Sequence, residues 1–269
     1  MDLHEVETRI TRFIRESVEK ATCEGVVLGL SGGIDSCTAA ALSAKAIGGS
    51  KVLGLMLPES ETYSADDAKH VQATVKKFKF RSQSCDITPT LEAFYESIPV
   101  FEPSEKISKG NIKARTRMIY LYYYANRLDL LVCGSSDKSE TMIGYFTKWG
   151  DVAADISPIM DLYKTQVRML AHYIGISEEI IEKPPSPTLW PGQLAETELG
   201  VEYKTLDLIL YGLEHFMTVK EITEQLKVGK DLVSKIKLKW LSAEHKRKML
   251  LTTKLAYRTV GADFRLKRE

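Results

Sequence analysis

The sequence predicts an α/β fold, a doubly wound parallel sheet with additional helices toward the carboxyl terminus. Short runs of apolar and β-branched residues alternate with segments of helical periodicity over the first half of the chain. Two of these runs, at 25–30 and 130–133, lead directly into turns of glycine and serine. Helical spacing returns at 219–240. Strands that alternate with helices form a parallel sheet covered on both faces, and such a sheet binds its ligands at the carboxyl ends of the strands.

The first elements follow from this pattern. Apolar side chains at helical spacing predict an amphipathic helix over 3–18 that packs on the sheet. The run at 25–30 predicts the first strand, and the alanine-rich segment around 39–42 predicts the helix after it. The run 51–57, which ends at Pro58, predicts a second buried strand.

The alternation continues beyond Pro58. Ser64 is placed to cap a helix whose buried face includes Val71. A weaker strand is predicted near 80–87 and a helix near 90–97. Leu130–Gly134 supplies the next strong strand, so the turn after it and the turn after the first strand are expected to face the same crevice.

Composition limits the classes of protein that fit. The chain has 269 residues and a formal net charge of +1, which disfavours a dedicated nucleic-acid binder. No apolar run is long enough to cross a bilayer, so no membrane partner is expected. We expect one domain over 1–269, with the core sheet in about 1–185 and a lid loop and helices in about 186–269.

The four cysteines indicate a reducing compartment. They are widely spaced and form no Cys-x-x-Cys pair, which disfavours a zinc site or a disulfide framework. The four are Cys23, Cys37, Cys85 and Cys133. Reduced thiols are typical of the cytoplasm, where we expect the protein to act.

The turn after the first predicted strand has the features of a phosphate-binding loop. The adjacent glycines Gly32 and Gly33 let successive backbone N–H groups point into one concavity, and the following helix adds its own unpaired N–H groups. Ser31 and Ser36 can add hydroxyl donors, so the loop is suited to pyrophosphate. Asp35 would repel a phosphate, which implies a divalent cation, magnesium, between them. The alternative is an ordinary glycine-rich turn.

Several stretches resemble known enzymes. The string Ser31–Ser36 resembles the PP-loop of the ATP pyrophosphatases, which cut ATP between its α and β phosphates, and it lacks the lysine of a Walker A loop. Further stretches, in the same order over most of the chain, are similar to segments of the NAD⁺ synthetases. These are 111–118, 144–151 with Asp155, 182–186 with 190–193, and 244–248.

The resemblance implies a Rossmann-like fold of the adenine nucleotide α-hydrolase type and an enzymatic function. That function is the ATP-dependent amidation of nicotinic acid adenine dinucleotide (deamido-NAD) by ammonia. The reaction passes through an acyl-adenylate to NAD⁺ and releases AMP and pyrophosphate. Since the chain is too short for an additional amidase domain, we expect free ammonia as the donor and a separate glutaminase as a possible partner.

The resemblance also implies roles for individual residues. The expected ATP contacts are Gly29, Leu30, Ser31, Gly32, Gly33, Ile34, Asp35, Ser36, Ser135, Lys164 and Ser186. The expected deamido-NAD contacts are Arg115, Lys148, Asp155, His245 and Lys246. The magnesium ligands are expected to be Asp35 and Glu140. These two and Asp155, the candidate proton acceptor, are the expected catalytic residues.

One helix has two interpretations. Arg115 precedes the aromatic segment Tyr120–Tyr124 on a predicted helix. By residue type alone, a solvated basic face and an anion clamp are equally compatible with Arg115. The resemblance favours a dinucleotide contact for Arg115 and a homodimer interface for the aromatic face.

Parts of the sequence are also compatible with other functions. Another PP-loop enzyme, such as a GMP synthetase or a tRNA-modifying ATPase, shares the phosphate loop. The segments 219–226 and 230–240 are spaced like a helix-turn-helix, which favours a DNA-binding module. Against DNA binding, the pair has enough apolar residues to pack on a core, and the net charge is nearly zero. The proline-rich segment 183–192 predicts a lid loop over the nucleotide.

Overall fold

A four-stranded parallel sheet forms the centre of the protein in a computed structural model that describes residues 1–248, 252–255 and 257–259. The strands are β1 Gly25–Gly29, β2 Val52–Met56, β3 Arg81–Ser84 and β4 Leu130–Val132. Their order is β3-β2-β1-β4, and every neighbouring pair is parallel. In the register, Val27 of β1 lies between Leu53 of β2 and Val132 of β4. The predicted parallel sheet is confirmed.

Helices flank the sheet and extend beyond it. The thirteen α-helices of the described residues are α1 Leu3–Ala21, α2 Ile34–Ile47, α3 Ala65–Phe78, α4 Thr88–Ser97, α5 Lys106–Leu128, α6 Lys138–Ile143, α7 Lys164–Ile174, α8 Glu178–Ile181, α9 Ala195–Leu199, α10 Tyr203–Glu214, α11 Val219–Leu226, α12 Lys230–Ser242 and α13 Glu244–Arg247. None of the described helices is long and apolar enough to cross a membrane.

Separate apolar cores cover the two faces of the sheet. On one face, α1, α2 and α7 contribute Ile14, Leu42 and Leu170, all fully buried. On the other face, α4 and α5 contribute Leu91 and Ala125. Because each face is covered by helices, the sheet is doubly wound, as the sequence predicts.

The predicted edges of elements shift for local reasons. The first helix runs past residue 18 to Ala21 and ends where Thr22 adopts a left-handed conformation, φ 56°. The weak strand expected at 80–87 is only Arg81–Ser84, an edge strand with mainly exposed polar side chains. The side chain of Ser64 accepts a hydrogen bond from the Asp67 backbone, so the predicted cap of α3 is confirmed.

A third core lies beyond the sheet. It joins α6 to the carboxyl-terminal helices through buried residues such as Leu210, Ile222, Val233 and Ile236. The last three belong to α11 and α12, so the helix pair turns its apolar faces inward, as expected for a packed pair rather than a DNA reader. Residues 249–251, 256 and 260–269 of the predicted helical region lie outside the described residues.

Candidate active site

A cavity of about 740 Å³ opens at the carboxyl ends of the strands, within the size range of ligand pockets. Gly29, Met56 and Val132, from β1, β2 and β4, lie at its base. The turns after β1 and β4 both line it, as predicted from their positions after strands. The segment 183–194 forms no helix or strand and borders the opening, which confirms the predicted loop.

The turn after β1 has the conformation of an anion cradle. Helix α2 begins at Ile34 with Gly33 as its N-cap, so its first N–H groups face the cavity. The Ser31 and Ser36 hydroxyls lie 3.2 Å apart, and Ser31 Oγ accepts the Gly33 N–H at 3.3 Å. Gly32 has φ +75°, and a Cβ there would lie 2.6 Å from the Asp67 carbonyl oxygen. Only glycine fits at that point.

Three carboxylates converge beside the cradle. Asp35 lies in the first turn of α2, Asp137 is the N-cap of α6, and Glu140 lies in the first turn of α6. One oxygen from each lies within 4.8 Å of the others. One oxygen of Asp35, Oδ1, is buried without a hydrogen-bond partner in the described structure.

The Lys164 ammonium lies among these carboxylates. It is 2.6 Å from Asp35, 2.7 Å from Asp137 and 2.9 Å from Glu140. Lys164 and Asp137 are almost completely buried, at 1% and 0% exposure. One ammonium faces three acidic groups, so the cluster can accept further positive charge.

The proton affinities of the cluster reflect this imbalance. Burial is the main cause, and the negative charge of Asp137 the second, that raise the pKa of Glu140 to about 8. Burial likewise raises the pKa of Asp137 to about 6, although Lys164 opposes the shift. Burial lowers the pKa of Lys164, but the three carboxylates outweigh it and raise that pKa well above its ordinary value. The lysine therefore stays charged while one carboxyl holds a proton near neutral pH.

The cluster has the ligands of a hard divalent cation. Magnesium and calcium bind carboxylate oxygens, and the partnerless Asp35 Oδ1 offers one. The predicted pair Asp35 and Glu140 is brought together, and Asp137 joins it. Asp137 was not predicted, although an acidic residue three positions before Glu140, at the start of a helix that follows a strand, is a typical N-cap.

Buried polar groups hold the cluster in place. Asp207 on α10 accepts the Ser139 hydroxyl at 2.5 Å and the Thr165 N–H at 2.8 Å, which ties α6 to α7. The Tyr203 hydroxyl donates to Glu140 Oε1 at 3.2 Å. Tyr203 and Asp207 were not predicted, because only the packing of α10 brings them to the site.

The remaining expected ATP contacts lie around the same cavity. Ser135, Lys164 and Ser186 all line it, as do all the cradle residues except Gly32, which faces α3. The Ser186 hydroxyl accepts the Thr188 N–H at 3.1 Å, within the lid loop. Residues far apart in sequence thus surround one space next to the acidic cluster.

The expected dinucleotide contacts form a second group. Lys246 lines the cavity and donates to the carbonyl oxygens of Gly144 and Phe146. Arg115, Lys148 and His245 are not among the lining residues. They are linked instead, since Arg115 donates to the Lys148 carbonyl at 3.2 Å and Lys148 Nζ to the His245 carbonyl at 2.6 Å.

Asp155 lies apart from the acidic cluster. It is not among the cavity-lining residues, and its side chain is fixed at the sheet edge. Its carboxylate accepts the Val132 N–H at 2.7 Å and the Tyr122 hydroxyl at 3.2 Å. Its assignment as proton acceptor stays a prediction.

Comparisons with known proteins agree over nearly the whole chain. A family model described as NAD synthase matches residues 6–250. An NH₃-dependent NAD⁺ synthetase of Methanocaldococcus jannaschii is 47% identical over 247 residues, covering 91% of this chain and 95% of that protein.

Solved structures show the same similarity. An NMN synthetase from Francisella tularensis has a TM-score of 0.83 and 33% identity, covering 95% of this chain and 100% of that one. An NH₃-dependent NAD synthetase from Campylobacter jejuni, in complex with a nitrate ion, has a TM-score of 0.79 and 29% identity, covering 94% and 100%.

Proposed function

This chain belongs to the NAD synthase family, and from that premise we propose that it uses ATP and ammonia to amidate deamido-NAD to NAD⁺. It is an AMP-forming carbon–nitrogen ligase. The observation that carries this proposal is the 47% identity with an NH₃-dependent NAD⁺ synthetase over 95% of that enzyme. The phosphate cradle and the acidic cluster at one cavity supply the chemistry that such a reaction needs.

The reaction has to convert a carboxylate into an acyl donor. A free carboxylate does not react with ammonia in water, because oxide is the leaving group. A carboxylate oxygen of the nicotinate attacks the α-phosphorus, and the bond to the β-phosphate oxygen breaks, giving an acyl-adenylate and pyrophosphate. Ammonia then attacks the acyl carbon, AMP leaves with the oxygen, and the ammonium proton passes to a base. The protein contributes mainly positioning and charge stabilisation.

The cradle is suited to receive the departing pyrophosphate. The N–H groups at the start of α2 and the hydroxyls of Ser31 and Ser36 face the cavity. Such donors are fixed before the reaction, so they need no reorganisation as charge develops. Gly32 lets this backbone lie directly against α3.

We assign a magnesium ion to Asp35 and Glu140, with Asp137 beside them. The convergence of the three carboxylates and the buried, partnerless Asp35 Oδ1 support this assignment. When bound, the ion supplies positive charge against the phosphates. Lys164 holds the carboxylates together through three short ion pairs and keeps its charge throughout.

The dinucleotide site is proposed for the linked basic group Arg115, Lys148 and His245, together with Lys246, which follows His245 and lines the cavity. A homodimer is proposed through α5, since Ile119 and Tyr123 on its outer face are 50% and 67% exposed. Large apolar side chains exposed side by side favour an interface.

The organisation and location of the protein are likewise proposals. One catalytic domain over 1–269 is supported by the family match to residues 6–250. The cytoplasm is supported by the four cysteines, all of which are free thiols. Another PP-loop reaction is not favoured, because the similarity to NAD⁺ synthetases extends over the whole site and not the cradle alone.

One relative favours a second candidate substrate. The Francisella protein with a TM-score of 0.83 is named an NMN synthetase, and such a reaction amidates the mononucleotide rather than the dinucleotide. The purified protein should therefore be given Mg-ATP, ammonium and either deamido-NAD or nicotinic acid mononucleotide. A higher kcat/KM with the dinucleotide supports the proposal, and a higher value with the mononucleotide replaces it. Glutamine in place of ammonium should give no turnover.

A further inference from the structure

An ion pair joins the lid loop to the helix next to the cradle. The ammonium of Lys183, in the lid loop, contacts the carboxylate of Asp67, in the first turn of α3. The two side chains are 27% and 17% exposed, so the pair is largely shielded from water. Both residues line the cavity. A shielded pair of this kind is stronger than one on the open surface.

The pair lies directly beside the phosphate cradle. The Asp67 backbone packs against Gly32 so closely that a Cβ on that glycine would lie 2.6 Å from its carbonyl oxygen and 2.8 Å from its Cα. The carboxylate that holds Lys183 therefore belongs to the residue that touches the cradle. A lysine ammonium on a flexible stem is a common ligand of phosphate groups.

Two other lysines of this cavity are held more firmly. Lys164 contacts three carboxylates, and Lys246 donates to two backbone carbonyl groups. Lys183 has one carboxylate partner in the described residues. Replacing that single carboxylate by a more highly charged phosphate group is favourable, because the ammonium stays paired during the exchange.

We propose that Lys183 is a phosphate-binding residue of the lid loop, and that Asp67 competes with the phosphates of ATP for its ammonium. When ATP binds, the ammonium leaves Asp67 for the terminal phosphates and brings the lid loop over the cradle. The inference rests on the proposed function only in taking ATP as the ligand. Asp67 then has the opposite effect to Lys183 on ATP binding, because its carboxylate competes with the phosphates for the same ammonium.

A purely structural role makes a different prediction. If the pair only fastened the lid, removing either partner would loosen the loop, and both changes would weaken nucleotide binding. If Lys183 is shared between Asp67 and the phosphates, Lys183→Met weakens ATP binding, whereas Asp67→Asn strengthens it. The direction of the Asp67→Asn effect therefore separates the two roles.

The test measures dissociation constants of ATP and AMP by calorimetric titration in Mg²⁺, without deamido-NAD. Lys183→Met should weaken ATP binding about 10-fold or more, the scale of a hydrogen bond between charged groups. The dissociation constant of AMP should change by less than about twofold. Lys183→Arg should keep most of the ATP affinity. Asp67→Asn should tighten ATP binding by about 3-fold or more, since a competing charged contact is removed.

The control is Asp161→Asn, outside the cavity. Asp161 is 98% exposed and pairs with Lys138 rather than Lys183, so ATP affinity should not change. Thermal unfolding of each variant checks that the fold is kept. The inference is overturned if Lys183→Met loses affinity for ATP and AMP equally, or loses no affinity for ATP. It is also overturned if ATP binding to Asp67→Asn is unchanged or weaker. Failure of the wild type to form NAD⁺ overturns only the proposed function.

Discussion

Lys164 Nζ lies 2.6 Å from Asp35 Oδ2, although 129 positions separate the two residues in the sequence. The contact links the first turn of α2, which carries the cradle, to the first turn of α7. It places a buried, permanently charged lysine at the point where the phosphate loop meets the acidic cluster.

Asp35→Asn should lower kcat by at least about 100-fold, the range seen when a group that stabilises transition-state charge is removed. The fold should persist, because two carboxylates remain around Lys164. Steady-state kinetics and thermal unfolding provide the measurements. Asp161→Asn is the control, since that side chain is 98% exposed and should leave turnover unchanged. Retained turnover in Asp35→Asn would remove this carboxylate from the mechanism.

The Mg²⁺-free protein should become less stable as pH rises through about 8. The pKa of Glu140 is raised from 4.5 to about 8, so the folded state binds a proton that the unfolded state has already lost. This contribution to stability is full below the unfolded pKa and disappears above the folded one, with a slope of up to about 1.4 kcal/mol per pH unit. Urea unfolding between pH 6 and 9 measures it.

Glu140→Gln should flatten this pH profile, because the amide does not titrate. Saturating Mg²⁺ should flatten it as well, since a bound cation favours the ionised carboxylate at every pH. Identical slopes for the wild type and Glu140→Gln in the absence of metal would show that the proton is held elsewhere.

Gly32→Ala should destabilise the protein by about 1–3 kcal/mol and weaken ATP binding. The position combines φ +75° with a backbone oxygen 2.6 Å from the added Cβ, so the cradle has to shift. Gly48→Ala, outside the cavity, is the matched control, since it has φ +84° but no atom within 4 Å of the added Cβ. The control should lose only about 1 kcal/mol and keep its ATP affinity. Chemical unfolding and titration distinguish the two, and equal losses would argue against the close packing of the cradle on α3.

Tyr123→Glu should produce a monomer if the proposed dimer forms through α5. Tyr123 is 67% exposed on the outer face of that helix, and a buried glutamate without a partner is strongly unfavourable in an apolar interface. Sedimentation velocity measures the change. Leu208→Glu, on the exposed face of α10, should have no effect on assembly. A wild type that sediments as a monomer would exclude the dimer.

The cradle was predictable because its signals are local. The apolar strand, the turn around Gly32 and the helix after it are contiguous, and turn chemistry is readable over a few residues. Glu140, in contrast, was predicted as a magnesium ligand from the resemblance, and the structure places it in the first turn of α6. The edge strand β3 was predicted too long, because its side chains are mainly polar and the sheet alone determines its limits.

The partners of these residues could not be predicted in the same way. The three carboxylates around Lys164 come from the first turn of α2 and the start of α6, and Lys164 begins α7, so only long-range packing brings them together. Tyr203 and Asp207 reach the site through the third core, and Asp67 meets Lys183 across 116 positions of sequence. Sequence patterns identify candidate groups, whereas long-range packing decides which of them meet.

The fate of the carboxylate oxygens tests the central claim most directly. Deamido-NAD with isotopically labelled carboxylate oxygens should be incubated with the enzyme, Mg-ATP and ammonium, and the products analysed by mass spectrometry. Attack of the carboxylate on the α-phosphorus predicts NAD⁺, AMP and pyrophosphate in equal amounts, with a labelled oxygen in the AMP phosphate. Unlabelled AMP, or release of ADP and labelled phosphate, would contradict the account.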